Sequence, residues 1–395
     1  MLQLTLKKIN KRFHPFENAR SAHKRKWFYY LNFKNGTTIA LIFIKIYKNN
    51  DNRGGEMKKY TALILLLIAI LTFTAACGNT SVSKEENEND FKNSDQAGGA
   101  LSGEPVTILT GGTSGVYFQL GNALAKLYGE ELGAQTSAQT TGASAENTMK
   151  ISKQKAELGL AMADTVADAY TGEGNFVRSG ALSNVRAIAS LYPNYLQIVA
   201  PKKEGIRTLE DLKGKDVAVG ALGSGTEIVA KRILQGAGIT YDDINADFLS
   251  FSEGIEGIKN GTTDVAFLSS GYPNSGIMEL AATDDVEIIP VPKELTEKLQ
   301  KKYPAFKVGA IPGNTYKGVK EDRDTVLVKN LMITHQDLSE EKVYLLTKTM
   351  FENLDDLRNA HNAAKQIELE TAVEELPLPL HPGAEKYYKE KGIIQ

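Results

Sequence analysis

From residue 105 to the C-terminus, short apolar runs of strand length alternate with stretches of helical period, and Gly, Ser and Thr cluster at the junctions. Such alternation predicts a mostly parallel sheet with helices on both faces rather than a bundle or an antiparallel sandwich. Residues 106–110 (VTILT) predict a strand, followed by GGTSG and a helix over 117–129 with Leu120, Leu124 and Leu127 on one face. A polar strand over 135–141 leads through Gly142, Ala143 and Ser144 into a helix that reaches Lys153. The buried-type strand 158–162 (LGLAM) closes on Ala163 and Asp164 before another helix, and 185–192 and 195–200 predict two more strands.

A second unit repeats the pattern. It opens with a predicted helix over 207–212, N-capped by Thr208. A strand over 216–220 (DVAVG), a loop ALGSGT and a helix over 227–237 ended by Gly238 follow. Further strands are expected at 246–250, 265–269, 286–291 and 325–334, a helix over 339–353, and a short last helix after His381, Pro382 and Gly383. The echo predicts an α/β protein of two similar lobes facing each other across a cleft. Residues 104–199 form the first lobe and 200–305 the second, while 306–395 return to the first lobe and add C-terminal helices.

The residues before this body read differently. Residues 1–76 hold 14 Lys+Arg against three acids (Glu17, Asp51 and Glu56), which leaves 32 basic and 45 acidic side chains after them. The formal net charge of -2 therefore averages two unlike parts. Met57, Lys58 and Lys59 open an export signal, residues 60–73 (YTALILLLIAILTF) are its uncharged core, and Thr74, Ala75 and Ala76 lead to Cys77. The core falls short of the ~20 apolar residues of a membrane-spanning helix. Residues 57–76 thus read as a signal peptide of the bacterial lipoprotein kind, with Cys77 the site of lipidation and of palmitate attachment. An ordinary secretory signal with an incidental Cys is the alternative.

Residues 1–56 precede a complete signal. Arg53-Gly54-Gly55-Glu56-Met57 can be encoded by AGA-GGA-GGT-GAA-ATG, a purine-rich ribosome-binding sequence before a start codon, so 1–56 reads as leader translated from a mis-set gene start. The alternative is a basic, aromatic extension that binds membrane. Residues 77–103 are rich in Asn, Ser, Glu, Asp and Gly and predict a flexible tether.

A single Cys excludes an intrachain disulfide framework and a zinc site of several thiolates. Enzyme constellations are equally sparse. No Gly-x-Ser-x-Gly elbow exists, and His335, His361 and His381 lie far along the chain from every loop serine. No metal site and no cofactor are expected, nor a nucleic-acid partner. Binding groups are better supplied. The loops 111–115 (GGTSG) and 220–226 (GALGSGT) each lie between a predicted strand and a predicted helix. There the first helical N–H groups are unpaired and the helix dipole is positive, which makes an anion site. Ser114, Ser224 and Thr226 add hydroxyls. Neither loop has the Lys of a P-loop or a Gly-x-Gly-x-x-Gly pattern, which argues against nucleotide. A plain turn with helix caps is the alternative for one such loop, and matched loops in two lobes favour a clamp. Residues 142–144 and 269–273 (SSGYP) are further turns of this chemistry. Asp164 stands ready either to accept from a ligand ammonium or to cap the following helix.

The stretches LTGGTSGVYFQLGNALA, TGASAENTMKI, DTVADAYTGEG, VRAIASLYPNYLQIVA, LEDLKGKDVAVGALGSGTEIVAKRIL, GTTDVAFLSSGYP and LPLHPGAEKYYKEKG resemble the TAXI family of solute-binding proteins, which serve TRAP transporters. The resemblance covers nearly all of 105–392. It implies a type-II periplasmic-binding-protein fold, two α/β lobes with a hinge and a ligand trapped between them. It implies a fused integral-membrane TRAP permease as partner, a monomeric receptor, and a small carboxylate or amino acid as ligand, such as glutamate, glutamine or a 2-oxo dicarboxylate. The family's motifs fall on Gly112, Thr113, Ser114, Gly115 and Tyr117; on Gly142, Ala143, Ser144 and Asn147; and on Asp164 and Tyr192. In the second lobe they fall on Gly223, Ser224, Gly225 and Thr226, and on Ser270, Gly271 and Pro273. Met162 and Ala163 replace the polar pair the family often carries before its acid.

The expected protein is a non-enzymatic receptor, extracytoplasmic and lipid-anchored through Cys77. A ligand sensor coupled to a membrane kinase and a secreted enzyme on the same fold are the alternatives. Mass spectrometry of the protein from its native cells is expected to find an acylated Cys77 and no peptide from 1–56, and one such peptide would refute the mis-set start.

Overall fold

The computed structural model describes residues 99–395, all of which belong to one compact unit, Asn93–Gln395. The expected leader 1–56, the signal 57–76, Cys77 and most of the tether lie outside the described residues.

Ten strands form one mixed sheet: β1 (Pro105–Leu109), β2 (Gln135–Gln139), β3 (Leu158–Met162), β4 (Val185–Pro201), β5 (Asp216–Ala218), β6 (Asn245–Asp247), β7 (Val265–Ser270), β8 (Val286–Ile289), β9 (Lys307–Ile311) and β10 (Arg323–His335). Ten helices pack on it among the described residues. They are α1 (Val116–Leu132), α2 (Ser144–Ser152), α3 (Ala163–Thr171), α4 (Gly225–Gly236), α5 (Phe251–Asn260), α6 (Ser275–Thr283), α7 (Lys293–Gln300), α8 (Glu340–Glu352), α9 (Leu354–Ala360) and α10 (Pro382–Glu390).

The strand order shows two lobes of one design. In the first, β1 lies between β2 and β3 in parallel, and β10 enters antiparallel between β3 and β4. In the second, β5 lies between β6 and β7 in parallel, and β4 enters antiparallel between β7 and β8. Both lobes therefore read second, first, third, returning strand, fourth. The strand β4 serves twice, as the fourth strand of one lobe and the returning strand of the other. This is the type-II periplasmic-binding-protein fold.

Three sequence expectations change here. Residues 185–200 form one strand rather than two, because Pro193 sits where the ladder already slips. The β4–β10 register shifts between Lys329 and Leu331, directly opposite Pro193, so its missing N–H costs no regular bond. The segment 207–212 is not a helix capped by Thr208. It is a single turn over Glu210–Leu212, held by the Asp211 carboxylate, which accepts from the N–H groups of Arg207 and Thr208 at 3.0 and 2.9 Å. The body also begins earlier than residue 104. Leu101 is buried, and its N–H donates to the Leu132 carbonyl at 2.9 Å, so residues 99–103 belong to the fold rather than the tether. A single leucine in a polar stretch leaves too small a mark on composition to show this.

Leu120, Leu124, Tyr128 and Tyr388 are buried in the first lobe, and Val199, Leu268, Ile277 and Ile311 in the second. A third cluster crosses between them, joining Met162 and Val166 to Val229 and Ile233. Polar groups stitch the same crossing. Asn330 of β10 is fully buried, and its side-chain oxygen accepts from the Tyr117 hydroxyl on α1. Its nitrogen donates to Tyr192 O at 2.9 Å and to Asn194 Oδ1 at 2.8 Å. Asn194 then donates to the Ser269 carbonyl on β7 at 3.0 Å. This chain runs from the first lobe to the second through the crossing strands. Replacing Asn330 with Leu strands the Tyr117 hydroxyl and the Asn194 oxygen, and is expected to cost about 2–4 kcal/mol in urea unfolding. A loss under about 1 kcal/mol would show that the network contributes little.

Candidate functional site

A cavity of about 100 Å³ lies between the lobes at the C-terminal ends of the strands. The position follows from the fold, since strand-to-helix loops gather at that edge of a parallel sheet. Four loops lead into helix N-termini that line it: β1–α1 at Gly115–Tyr117, β2–α2 at Gly142–Ser144, β5–α4 at Ser224–Thr226, and β6–α5 at Ser250–Phe251. The first amides of each helix have no partner in their own helix, and the dipoles place partial positive charge there. The α4 terminus is organised by Ser224, whose Oγ accepts from Glu227 N at 3.1 Å. Ala143, directly before α2, adopts φ +67°, a left-handed conformation that costs a non-glycine residue energy.

Of the residues expected from sequence, Gly112, Gly115, Tyr117, Gly142, Ala143, Ser144, Tyr192, Ser224, Gly225, Thr226 and Ser270 line this cavity. The structure draws together loops more than one hundred residues apart, as the matched motifs implied. Ser269, of the SSGYP turn, lines it as well, and so do Met162, Asn194, Ser250 and Phe251, which sequence reasoning missed. Met162 and Ser269 stand at or near strand C-termini, where position alone pointed to the cleft. Asn194 was hidden by the expected break at Pro193.

Other expected residues have different tasks. Thr113 is exposed, and Ser114 makes a lobe-to-lobe contact outside the cavity. Ser252 Oγ donates to Ser114 Oγ at 2.9 Å, and Ser275 Oγ donates to its carbonyl at 3.3 Å. Asn147 is buried beneath the cavity, where its amide donates to the carbonyls of Thr110 at 2.6 Å and Leu160 at 2.7 Å and so ties β1 to β3. Gly223 adopts φ +72° in the turn before α4, outside the wall. Gly271 is a packing position, since a Cβ there would stand 2.6 Å from Ala363 Cβ. Pro273 follows a cis peptide before α6 and does not reach the cavity.

Asp164 is the main correction. It accepts from Arg232 Nη1 at 2.7 Å, and the second arm of that guanidinium binds Asp168. Arg232 comes from α4 of the second lobe and both acids from α3 of the first, so the triad spans the interface. Asp164 and Arg232 are buried and Asp168 is half-buried, and the guanidinium carbon lies 4.1 Å from the centre of the Tyr303 ring. Burial pushes both carboxyls above the ordinary range, against the pull of Arg232. The acid expected to meet a ligand ammonium is spent on an arginine.

No Lys, Arg, Asp, Glu or His lines the cavity among the described residues. Glu227 directly follows Thr226, but its carboxylate accepts from the Tyr241 hydroxyl at 3.1 Å, and Glu146 lies two residues past Ser144. Its carboxylate accepts from Gly142 N at 2.6 Å and pairs with Lys150 at 2.6 Å. Burial would raise its pKa, but Lys150 and the Gly142 N–H outweigh this and hold it below the ordinary value. Ser144 Oγ accepts from Met162 N at 3.1 Å, which leaves its proton to donate. The Tyr192 hydroxyl is buried without a hydrogen-bond partner, and burial raises its pKa. The three histidines serve elsewhere. Nδ1 of His361 accepts from Ala363 N, Nδ1 of His381 caps α10, and His335 ends β10.

Two α/β lobes of matching strand order around a cavity of converging helix N-termini define a protein of the type-II periplasmic-binding fold. Residues 108–392 match the NMT1-like family, and the chain belongs to it. Solved structures resemble it loosely. The periplasmic aliphatic sulphonate binding protein of Escherichia coli is 14% identical with a TM-score of 0.42, over 73% of this chain and 84% of that one. PhnD1 of Prochlorococcus marinus, in complex with methylphosphonate, is 13% identical with a TM-score of 0.45, over 74% and 99%. The substrate binding protein of an ABC uptake transporter from Streptococcus pneumoniae, with bound histidine, is 14% identical with a TM-score of 0.41, over 65% and 91%. The strand order is what defines the fold.

Replacing Arg232 with Met leaves Asp164 buried without its cation and is expected to cost about 3–5 kcal/mol in denaturant unfolding. The double variant Asp164→Leu/Arg232→Met is expected to recover part of that loss, because the fully buried orphaned carboxylate is gone while the half-buried Asp168 still lacks its cation. Strictly additive losses would show that the two side chains are not coupled.

Proposed function

We propose that this chain is the extracytoplasmic solute-binding receptor of a TRAP transporter of the TAXI kind, anchored through lipid on Cys77. It captures a small carboxylate and delivers it to a fused integral-membrane permease. The observation that carries this reading is the convergence of four helix N-termini from two lobes on one interlobe cavity. The α1 and α2 termini belong to the first lobe and the α4 and α5 termini to the second. A carboxylate held among them gains contacts in both lobes, so binding favours the closed arrangement, which the permease reads. The crossing strands β4 and β10 provide the axis.

Charge sharpens the mechanism. Residues 77–395 carry 32 basic and 45 acidic side chains, so the general field of the exported part repels an anion. Capture then depends on short-range donors, the first-turn amides and the hydroxyls of Ser144, Ser224, Thr226 and Ser270. The sequence motifs, rather than the cavity, support the TAXI assignment and the permease as partner.

A ligand that binds only the folded state stabilises it by about 2.7 kcal/mol at a hundredfold excess over Kd. A thermal-melting panel of 2-oxo acids, hydroxy acids, amino acids and dicarboxylates is therefore expected to give a rise in Tm with at least one small acid. A flat response across the panel would refute the receptor reading.

A further inference from the structure

Within that reading, we infer that the ligand is a small monocarboxylate without an ammonium group, with an oxygen next to the carboxylate and an apolar body. A short branched 2-oxo acid has this chemistry. Three features of the wall select it. The first is the lack of any charged side chain. One carboxylate is served by helix N-termini, but a second would be buried at a cost of several kcal/mol with no cation to offset it. An ammonium fares no better, because Asp164 is held by Arg232 on the far side of Met162 in sequence. Amino acids and dicarboxylates are therefore both disfavoured.

The second feature is the apolar surface. Val116, Met162 and Phe251 line the cavity together, and none offers a strong hydrogen-bonding group. They suit a hydrocarbon chain. The third is Tyr192. Tyr192 is one of the residues around the cavity and is fully buried, yet its hydroxyl has no partner. A buried hydroxyl left unpaired is costly, and an oxo or hydroxyl oxygen beside the carboxylate supplies what it lacks.

Titration calorimetry on the full chain, stripped of endogenous ligand by partial unfolding and refolding, tests this. The probes are 2-oxoisovalerate, isovalerate, valine, glutamate and 2-oxoglutarate. Expected is binding of 2-oxoisovalerate more than about tenfold tighter than valine, glutamate or 2-oxoglutarate, a difference above ~1.4 kcal/mol. Tyr192→Phe removes only an unpaired hydroxyl and so should fold. It is expected to weaken 2-oxoisovalerate by about tenfold and leave isovalerate unchanged. Tightest binding by glutamate, valine or 2-oxoglutarate, or equal loss of the two branched acids in Tyr192→Phe, overturns this inference and leaves the receptor reading standing. No binding by any of the five overturns both.

Discussion

The contact between the lobes turns on one buried arginine. Arg232 projects from the first helix of the second lobe and holds Asp164 and Asp168 of the first. An unpaired charge in that position would be costly, so neither partner is tolerated alone. The triad thereby couples two outcomes. It draws α3 and α4 together across the lobes, and it removes from the cavity the one carboxylate that stands at the end of β3. What is left facing the ligand is a set of neutral donors and apolar side chains.

That division of labour would let an acidic protein hold the proposed acid. Charge is used between the lobes, where Arg232 joins them, and helix termini line the cavity, where they would meet the proposed guest. Backbone amides are fixed by the helices that bear them and need no side-chain ordering, so their field is present before the ligand arrives. The close approach at Gly225 belongs to the same arrangement. A Cβ there would stand 2.5 Å from Met162 Sδ and 2.7 Å from Ser144 Oγ, both across the interface. Only glycine lets the α4 terminus come this near the first lobe.

Much of this was legible in the residues, and the reasons are local. The strand-to-helix loops at GGTSG, GAS and GALGSGT announce themselves by composition, and parallel-sheet geometry sends them to one edge. The echo between the lobes follows, as do the cavity residues Gly112, Ser144, Ser224 and Thr226. What stayed hidden depends on partners distant in sequence. Nothing around Asp164 signals that Arg232, 68 residues away, will take its carboxylate. Asn147 has the position of a ligand group but turns out to tie two strand ends. Pro193 has the look of a break, yet it is absorbed by a register shift that only the opposite strand reveals. Each of these is a tertiary fact that local propensity does not encode.

The central claim is that uncharged donors from both lobes hold a carboxylate between them. A crystal structure of the protein with its bound acid tests this most directly. The account predicts carboxylate oxygens at hydrogen-bonding distance from the first-turn amides of α4 and of α1 or α2, with Arg232 still on Asp164. A lysine or arginine side chain paired with the ligand carboxylate, or an acid bound outside the interlobe cavity, would contradict it.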